Sequence, residues 1–169
     1  LWAGSAVAQP ADWRNAKNGN LISTNGYCDQ PYVVVLKNGK WLCVFTTGQS
    51  GEGGGGQHIV SCISEDHGKA WTTPVAIENP GNESASWGMP YLTTYGRVYV
   101  FYDYNGDKIH ELNGRKNIRE DMLGWYCYKY SDDEGKTWSK RYRLHVRKTK
   151  ADFNNDWKGK VQIMWGIGK

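Results

Sequence analysis

Four side chains in this 169-residue sequence stand where turns interrupt apolar runs and have the chemistry to move protons: Asp29, Glu52, His58 and Asp103. An amide and two indoles accompany them, for Gln30 follows Asp29, and Trp87 and Trp165 each precede a glycine. Two carboxylates flanking a glycosidic bond can cleave it, and indole faces stack on sugar rings. A carboxyl on a rim of low dielectric has its pKa raised, which suits it to act as the acid. Asp29, Glu52 and His58 are therefore the candidate catalytic residues. Gln30, Trp87, Asp103 and Trp165 are candidates for substrate binding, and Glu120 and Asp121 add further carboxylates.

Other chemistries find no support in the spacing. Cys28, Cys43, Cys62 and Cys127 form no C-x-x-C pair, so no zinc site or dense disulfide framework is expected. Buried free thiols are the expected state. An exporting compartment would permit a disulfide, but the sequence does not choose the pair. The stretch Gly51-Glu52-Gly53-Gly54-Gly55-Gly56 lacks the Gly-Lys-Ser/Thr and helix of a phosphate loop and reads as a rim loop. No metal and no cofactor are expected.

The elements that must position these residues are short strands. Residues 11–27 are polar with Asn-Gly steps and read as a lead-in loop, within a lead-in spanning 9–26. Tyr32 to Leu36 is a continuous apolar run closed by Lys37-Asn38-Gly39, which predicts a strand buried on both faces and a hairpin. Trp41 to Thr46, His58 to Ile63 and Thr73 to Ile77 complete a four-stranded antiparallel unit over about 30–77. A second unit over about 89–147 repeats the order, with strands at Met89 to Thr94, Val98 to Tyr104, Trp125 to Tyr130 and Arg141 to Arg147. The last alternates strictly between basic and apolar residues, as a solvated outer strand would. The second unit is longer than the first between its second and third strands, and a loop such as Asn105 to Gly124 is commonly functional or disordered. Met164-Trp165-Gly166 echoes Ser86-Trp87-Gly88, so a third unit is expected to begin at the C-terminal end.

Each unit contains the same octapeptide pattern. Ser64 to Trp71 reads SEDHGKAW and Ser131 to Trp138 reads SDDEGKTW, a shared Ser-x-Asp-x-Gly-x-x-Trp. Asp66 and Asp133 can accept from backbone N–H groups two residues on, Gly68 and Gly135 can take positive φ, and Trp71 and Trp138 can fold back as apolar plugs. These turns and the hairpins lie at one end of the sheets, so the Asp residues of the pattern are assigned to structure. The candidate site falls at the other end.

The pattern resembles the Asp box, or bacterial neuraminidase repeat, of the sialidase superfamily. The resemblance covers nearly all of the chain from Tyr27 on. It implies an all-β fold, a six-bladed propeller of which this sequence holds about two blades in residues 27–169, and a ring too incomplete to be active by itself. It further implies an exo-glycosidase acting on terminal sugars of a glycan. Sialidases begin their first inner strand with an Arg-Ile-Pro-like signature whose Arg binds the sialic acid carboxylate. By position Pro31 matches the Pro, Gln30 the Ile and Asp29 the Arg, and a carboxylate there would repel a carboxylate ligand. Glu52 is the only acid in the loop where the family carries its acid/base Asp. The expected activity is therefore that of a glycosidase diverged from sialic acid, with a non-catalytic carbohydrate-binding propeller and a polysaccharide lyase as the other readings.

Composition bounds the surroundings. Ala6-Val7-Ala8 at the end of the apolar stretch 1–8 fits a signal-peptidase site, so a secreted or periplasmic protein is expected. No apolar run is long enough for a membrane span. A formal charge of +4 is small for this length and gives little support to a nucleic-acid or membrane partner, whereas the resemblance implies a glycan as the partner.

Overall fold

A computed structural model of the chain describes residues 12, 14–23, 26–145, 147–154, 158–159 and 162–163. The architecture of the described residues is all-β, with two antiparallel sheets packed face to face, a 3-10 turn at Ala16–Asn18 and a short helix, α1 (Lys150–Asn154). The first sheet has the order β1 (Tyr27–Val35), β2 (Trp41–Gly48), β3 (His58–Ser64), β4 (Val75–Ala76). The second repeats it as β5 (Ser84–Leu92), β6 (Val98–Asn105), β7 (Leu123–Ser131), β8 (Tyr142–Arg143). A further strand, β9 (Gln162–Ile163), pairs with the start of β7 and so extends the second sheet. Trp165 and residues 1–8 lie outside the described residues.

Both inner strands begin earlier than their apolar runs suggest. The chain pairs first over Tyr27 to Asp29, passes through a bulge at Gln30-Pro31, and resumes at Tyr32. β5 does the same around Trp87-Gly88. Gln30 and Trp87 occupy the left-handed region, at φ 51° and 64°. Such backbone is costly for a residue with a Cβ and persists only where its surroundings hold it. The expected boundaries at 30 and 89 mark the far side of these bulges, because the polar segments before them carry no apolar alternation to reveal pairing.

The apolar run of β1 is buried on one face only. Val34 and Leu36 pack toward the second sheet, whereas Val33 and Val35 are 41% and 56% exposed. A β-branched run specifies extended backbone but not what covers its second face. The outer strands are also shorter than expected. Pro74 has no N–H to give to the ladder, and β4 starts after it. Arg141 and Arg143 are exposed, as a solvated outer strand requires, and their guanidinium carbons lie 3.4 Å over the Tyr104 ring and 3.1 Å over the Trp125 ring.

The main core lies between the sheets. Leu42, Val44, Ile59 and Ile77 of the first meet Ala85, Val98, Val100, Tyr102 and Cys127 of the second. At its edge the buried Glu78 carboxylate accepts from the Tyr102 hydroxyl and pairs with Lys129 Nζ at 3.3 Å and Arg141 Nε at 3.6 Å. A smaller cluster of Cys43, Phe45, Val60 and Cys62 sits on the outer face of the first sheet, beneath Trp71.

The two octapeptides form matching turns. Ser64 Oγ donates to Asp66 Oδ1 at 2.8 Å and accepts from Gly68 N at 2.7 Å, while Asp66 Oδ1 accepts from Lys69 N and Ala70 N at 3.0 and 2.9 Å. The Asp donors are thus three and four residues on rather than two. Hydrogen bonds from Ala70 and from Ser64 hold the Asp66 carboxyl below its ordinary pKa. In the second turn Ser131 and Asp133 repeat the pattern, with Asp133 Oδ1 accepting from Thr137 N at 2.9 Å. Gly68 and Gly135 share φ 86°. Their surroundings differ: a Cβ on Gly68 would meet Trp41 at 3.1 Å, but one on Gly135 would lie 2.2 Å from Leu42 Cδ1. The second turn therefore seats directly on the first sheet, and Trp138 Nε1 donates across to Ser61 Oγ at 3.3 Å. Gly68→Ala is expected to cost about 1–2 kcal/mol through the left-handed backbone alone. Gly135→Ala is expected to cost about 1–3 kcal/mol more, through overpacking. Urea denaturation of both variants checks the order, and equal losses would contradict this seating.

Candidate functional site

The end of the sheets opposite the octapeptide turns gathers the start of β1, the Gly-rich connection between β2 and β3, and the long connection between β6 and β7. Asp29 lies on β1, half-buried, opposite Thr46. Tyr27 lies two residues earlier and so on the same strand face, with its hydroxyl toward the Asp29 carboxylate. Burial first, then the neighbouring Asp29 carboxylate and the charges of Glu52 and Asp121, push the Tyr27 pKa upward and hold it as a phenol. Glu52 is exposed on the Gly-rich connection, and Arg119 reaches it from the other sheet, Nη2 to Oε1 at 2.8 Å. The same guanidinium binds the buried Asp121, Nε to Oδ1 at 3.0 Å and Nη2 to Oδ2 at 2.7 Å. One arginine thus joins carboxylates from both sheets.

Arg119 is placed by the connection 106–122, which is ordered around its own small core. Leu123 packs with Ile109, Leu112, Ile118 and Met122, and Leu112 bridges to Arg115. The fully buried Asn105 side chain ties both ends, donating to Ile109 O and Glu120 O at 3.2 Å each and accepting from Ile109 N at 2.9 Å. The segment then docks on the Gly-rich connection, where Glu120 N donates to Gly53 O at 3.1 Å. A Cβ on Gly53 would stand 2.5 Å from Arg119 Nε, so the glycine is what lets the guanidinium lie against that backbone. Glu120 also accepts from Ser84 Oγ at 3.3 Å and faces His110 Nδ1 at 3.3 Å.

Of the residues singled out from sequence, Asp29 and Glu52 meet here around Tyr27 and Arg119. Gln30 occupies the left-handed bulge beside Asp29, and its buried Oε1 accepts no hydrogen bond among the described residues. His58 sits at the start of β3 with Nδ1 3.4 Å from Gly56 O. Trp87 is buried, its ring N–H donating to Asp121 O at 2.9 Å and its backbone N–H to Thr46 Oγ1 at 3.2 Å. It braces the site from below and does not present a platform. Trp165 lies outside the described residues.

Asp103 is 1% exposed, on β6 beneath this rim. Its Oδ1 has no hydrogen-bond partner, and Gly124 packs so closely that a Cβ there would stand 2.6 Å from it. Burial raises its pKa to about 8, with Asp121 adding to the rise and the Tyr104 N–H opposing it. Asp103 is therefore a neutral acid at pH 7, placed to support the rim from within. Tyr27 and Arg119 escaped the sequence reading. The i, i+2 spacing of Tyr27 and Asp29 was a signal for the first. Nothing local marks Arg119, whose partners come together only when the two connections dock.

No family model and no curated protein sequence matches the chain. Among solved structures it is similar to the Hadza microbial sialidase Hz136, with a TM-score of 0.53 and 18% identity over 67% of this chain and 25% of that one. It is also similar to the intramolecular trans-sialidase from Ruminococcus gnavus, with a TM-score of 0.50 and 13% identity over 69% of this chain and 48% of that one. The fold is thus sialidase-like, and the chain spans about a quarter and about half of the lengths of these two proteins.

The raised pKa of Asp103 has a thermodynamic consequence. Between its ordinary value of 3.8 and about 8 the folded state holds a proton that the unfolded state releases. Stability therefore falls as pH rises through that window, by roughly 1 kcal/mol per pH unit at most, and levels off above it. Asp103→Asn is expected to flatten this slope and to be the more stable protein at pH 8. Urea midpoints at pH 5, 6, 7 and 8 check it, and parallel slopes would show that Asp103 ionises as an ordinary carboxyl.

Proposed function

We propose that this chain is part of an exported glycoside hydrolase that removes terminal sugars from complex glycans and has diverged from sialic acid specificity. The observation that carries the reading is the meeting of Asp29, Glu52 and Asp121 around Tyr27 and Arg119, at the end of a sialidase-like fold where the connections of two blades converge. Carboxylates on a shared rim suit general acid–base cleavage of a glycosidic bond. We read the two octapeptide turns as Asp boxes, and the Ala6-Val7-Ala8 motif as the mark of export.

The charge of the rim supports divergence. Glu52 and Asp121 both pair with Arg119, so that guanidinium is already committed, and Asp29 stands where the resemblance places the carboxylate-binding Arg. A neutral or basic sugar meets such a surface with less repulsion than a carboxylate does. A second reading, a non-catalytic carbohydrate-binding propeller, is favoured by the same pairing, since a carboxylate held by Arg119 docks the two connections. The fold does not choose between them.

Hydrolysis of a panel of aryl glycosides, with a sialoside among them, tests the proposal on the full-length protein. Turnover of a non-sialic glycoside is expected, with Glu52→Gln lowering kcat by about 10²-fold or more and changing KM far less. Release from the sialoside alone would overturn the divergence. Glycan binding without turnover would establish the binding-module reading, and an unsaturated product absorbing in the ultraviolet would indicate a lyase.

A further inference from the structure

Cys43 and Cys62 are direct cross-strand partners in the ladder of β2 and β3. They share the outer face of the first sheet with Phe45 and Val60, at 0% and 1% exposure. The other two cysteines have no such neighbour, since Cys28 lies opposite Thr47, and Cys127 opposite Tyr102 and Arg143 in the second sheet. Register thus singles out one pair among four thiols.

The kind of register bears on the bond such a pair could make. Ile59 and Ile63 accept from Ile77 and Thr72, so the odd-numbered residues of β3 turn their peptide groups away from β2. The even-numbered ones, Cys62 included, turn theirs toward it, and Cys43 and Cys62 form a hydrogen-bonded pair with Cα atoms about 5.5 Å apart. That is within the span a disulfide bridges, although the Cβ atoms must draw together from the usual cross-strand separation. A bridge made under such tension is more readily reduced than a relaxed one.

We propose that Cys43 and Cys62 form a reversible cross-strand disulfide between β2 and β3, toward the octapeptide end of the first sheet and closing a loop that includes the connection carrying Glu52. The oxidant is a disulfide, either of a small thiol or of a thiol oxidoreductase. One protein thiolate attacks a sulfur of that disulfide and releases one thiol; the second attacks the resulting mixed disulfide and releases the other. The two cysteine protons end on the two released thiols, so the protein is oxidised by two electrons and the oxidant is reduced by two. Both sulfurs are buried in the finished sheet, which places the exchange during folding. The bridge encloses Gly48, Gly51, Gly53, Gly54, Gly55 and Gly56, whose conformational freedom in the unfolded chain it would curtail.

The full chain is refolded in a mixture of reduced and oxidised glutathione, alkylated in denaturant without reductant, and digested for mass spectrometry. A peptide pair linking Cys43 to Cys62 is expected, two hydrogen masses below the sum of its reduced halves, with Cys28 and Cys127 alkylated. The melting temperature is expected to fall by several degrees on addition of dithiothreitol. Cys62→Ser is expected to abolish that response, whereas Cys28→Ser is expected to preserve it. Alkylation at all four cysteines, linkage of a different pair, or a dithiothreitol response that persists in Cys62→Ser would each overturn the proposal.

Discussion

The structure depends on how closely the second sheet approaches the first. At Gly88, in the bulge of β5, a Cβ would stand 2.7 Å from Ile59 and 3.1 Å from Val44, both on the facing sheet. At Gly135, at the other end, it would strike Leu42. Two points of near contact at opposite ends of β2 and β3 set the spacing, and the core of Leu42, Val44, Ile59, Val98, Val100 and Tyr102 fills what remains. Dispersion weakens steeply once such surfaces separate, so this core requires the glycines to be where they are.

The candidate site inherits its geometry from that approach. Trp87, the left-handed residue just before Gly88, is held by Thr46 on the first sheet and holds Asp121 on the second. Asp121 positions Arg119, and Arg119 reaches back to Glu52. The chain of contacts crosses between the sheets twice, and each crossing is a hydrogen bond or ion pair with a defined direction. A polar rim tied in this way carries its side chains at set positions.

The rim is also acidic. Glu52 and Asp121 pair with Arg119, Glu120 faces His110, Asp29 stands beside Tyr27, and Asp103 lies beneath as an acid held neutral by burial. Desolvation and mutual repulsion keep one carboxyl protonated where five ionised ones would destabilise the fold. Selection among ligands by this surface would rest on charge as much as on shape.

The sequence alone determined the all-β class, the twofold repeat and the octapeptide turns, because strand alternation and turn residues act locally. It also pointed to Asp29 and Glu52, whose loops follow from that alternation. The inner strands begin at Tyr27 and Ser84 for reasons no local pattern contains, since their first residues are polar and pair only because a bulge restores the register. The exposed Val33 and Val35, the stacking of Arg141 and Arg143 on aromatic rings, the burial of Trp87 and the choice of Cys43 and Cys62 among four cysteines were decided by which surfaces came together. Tertiary structure alone joined Arg119 to Glu52. That pairing needs two connections, distant in the chain, to dock through Gly53, and the energy that docks them comes from the sheets beneath.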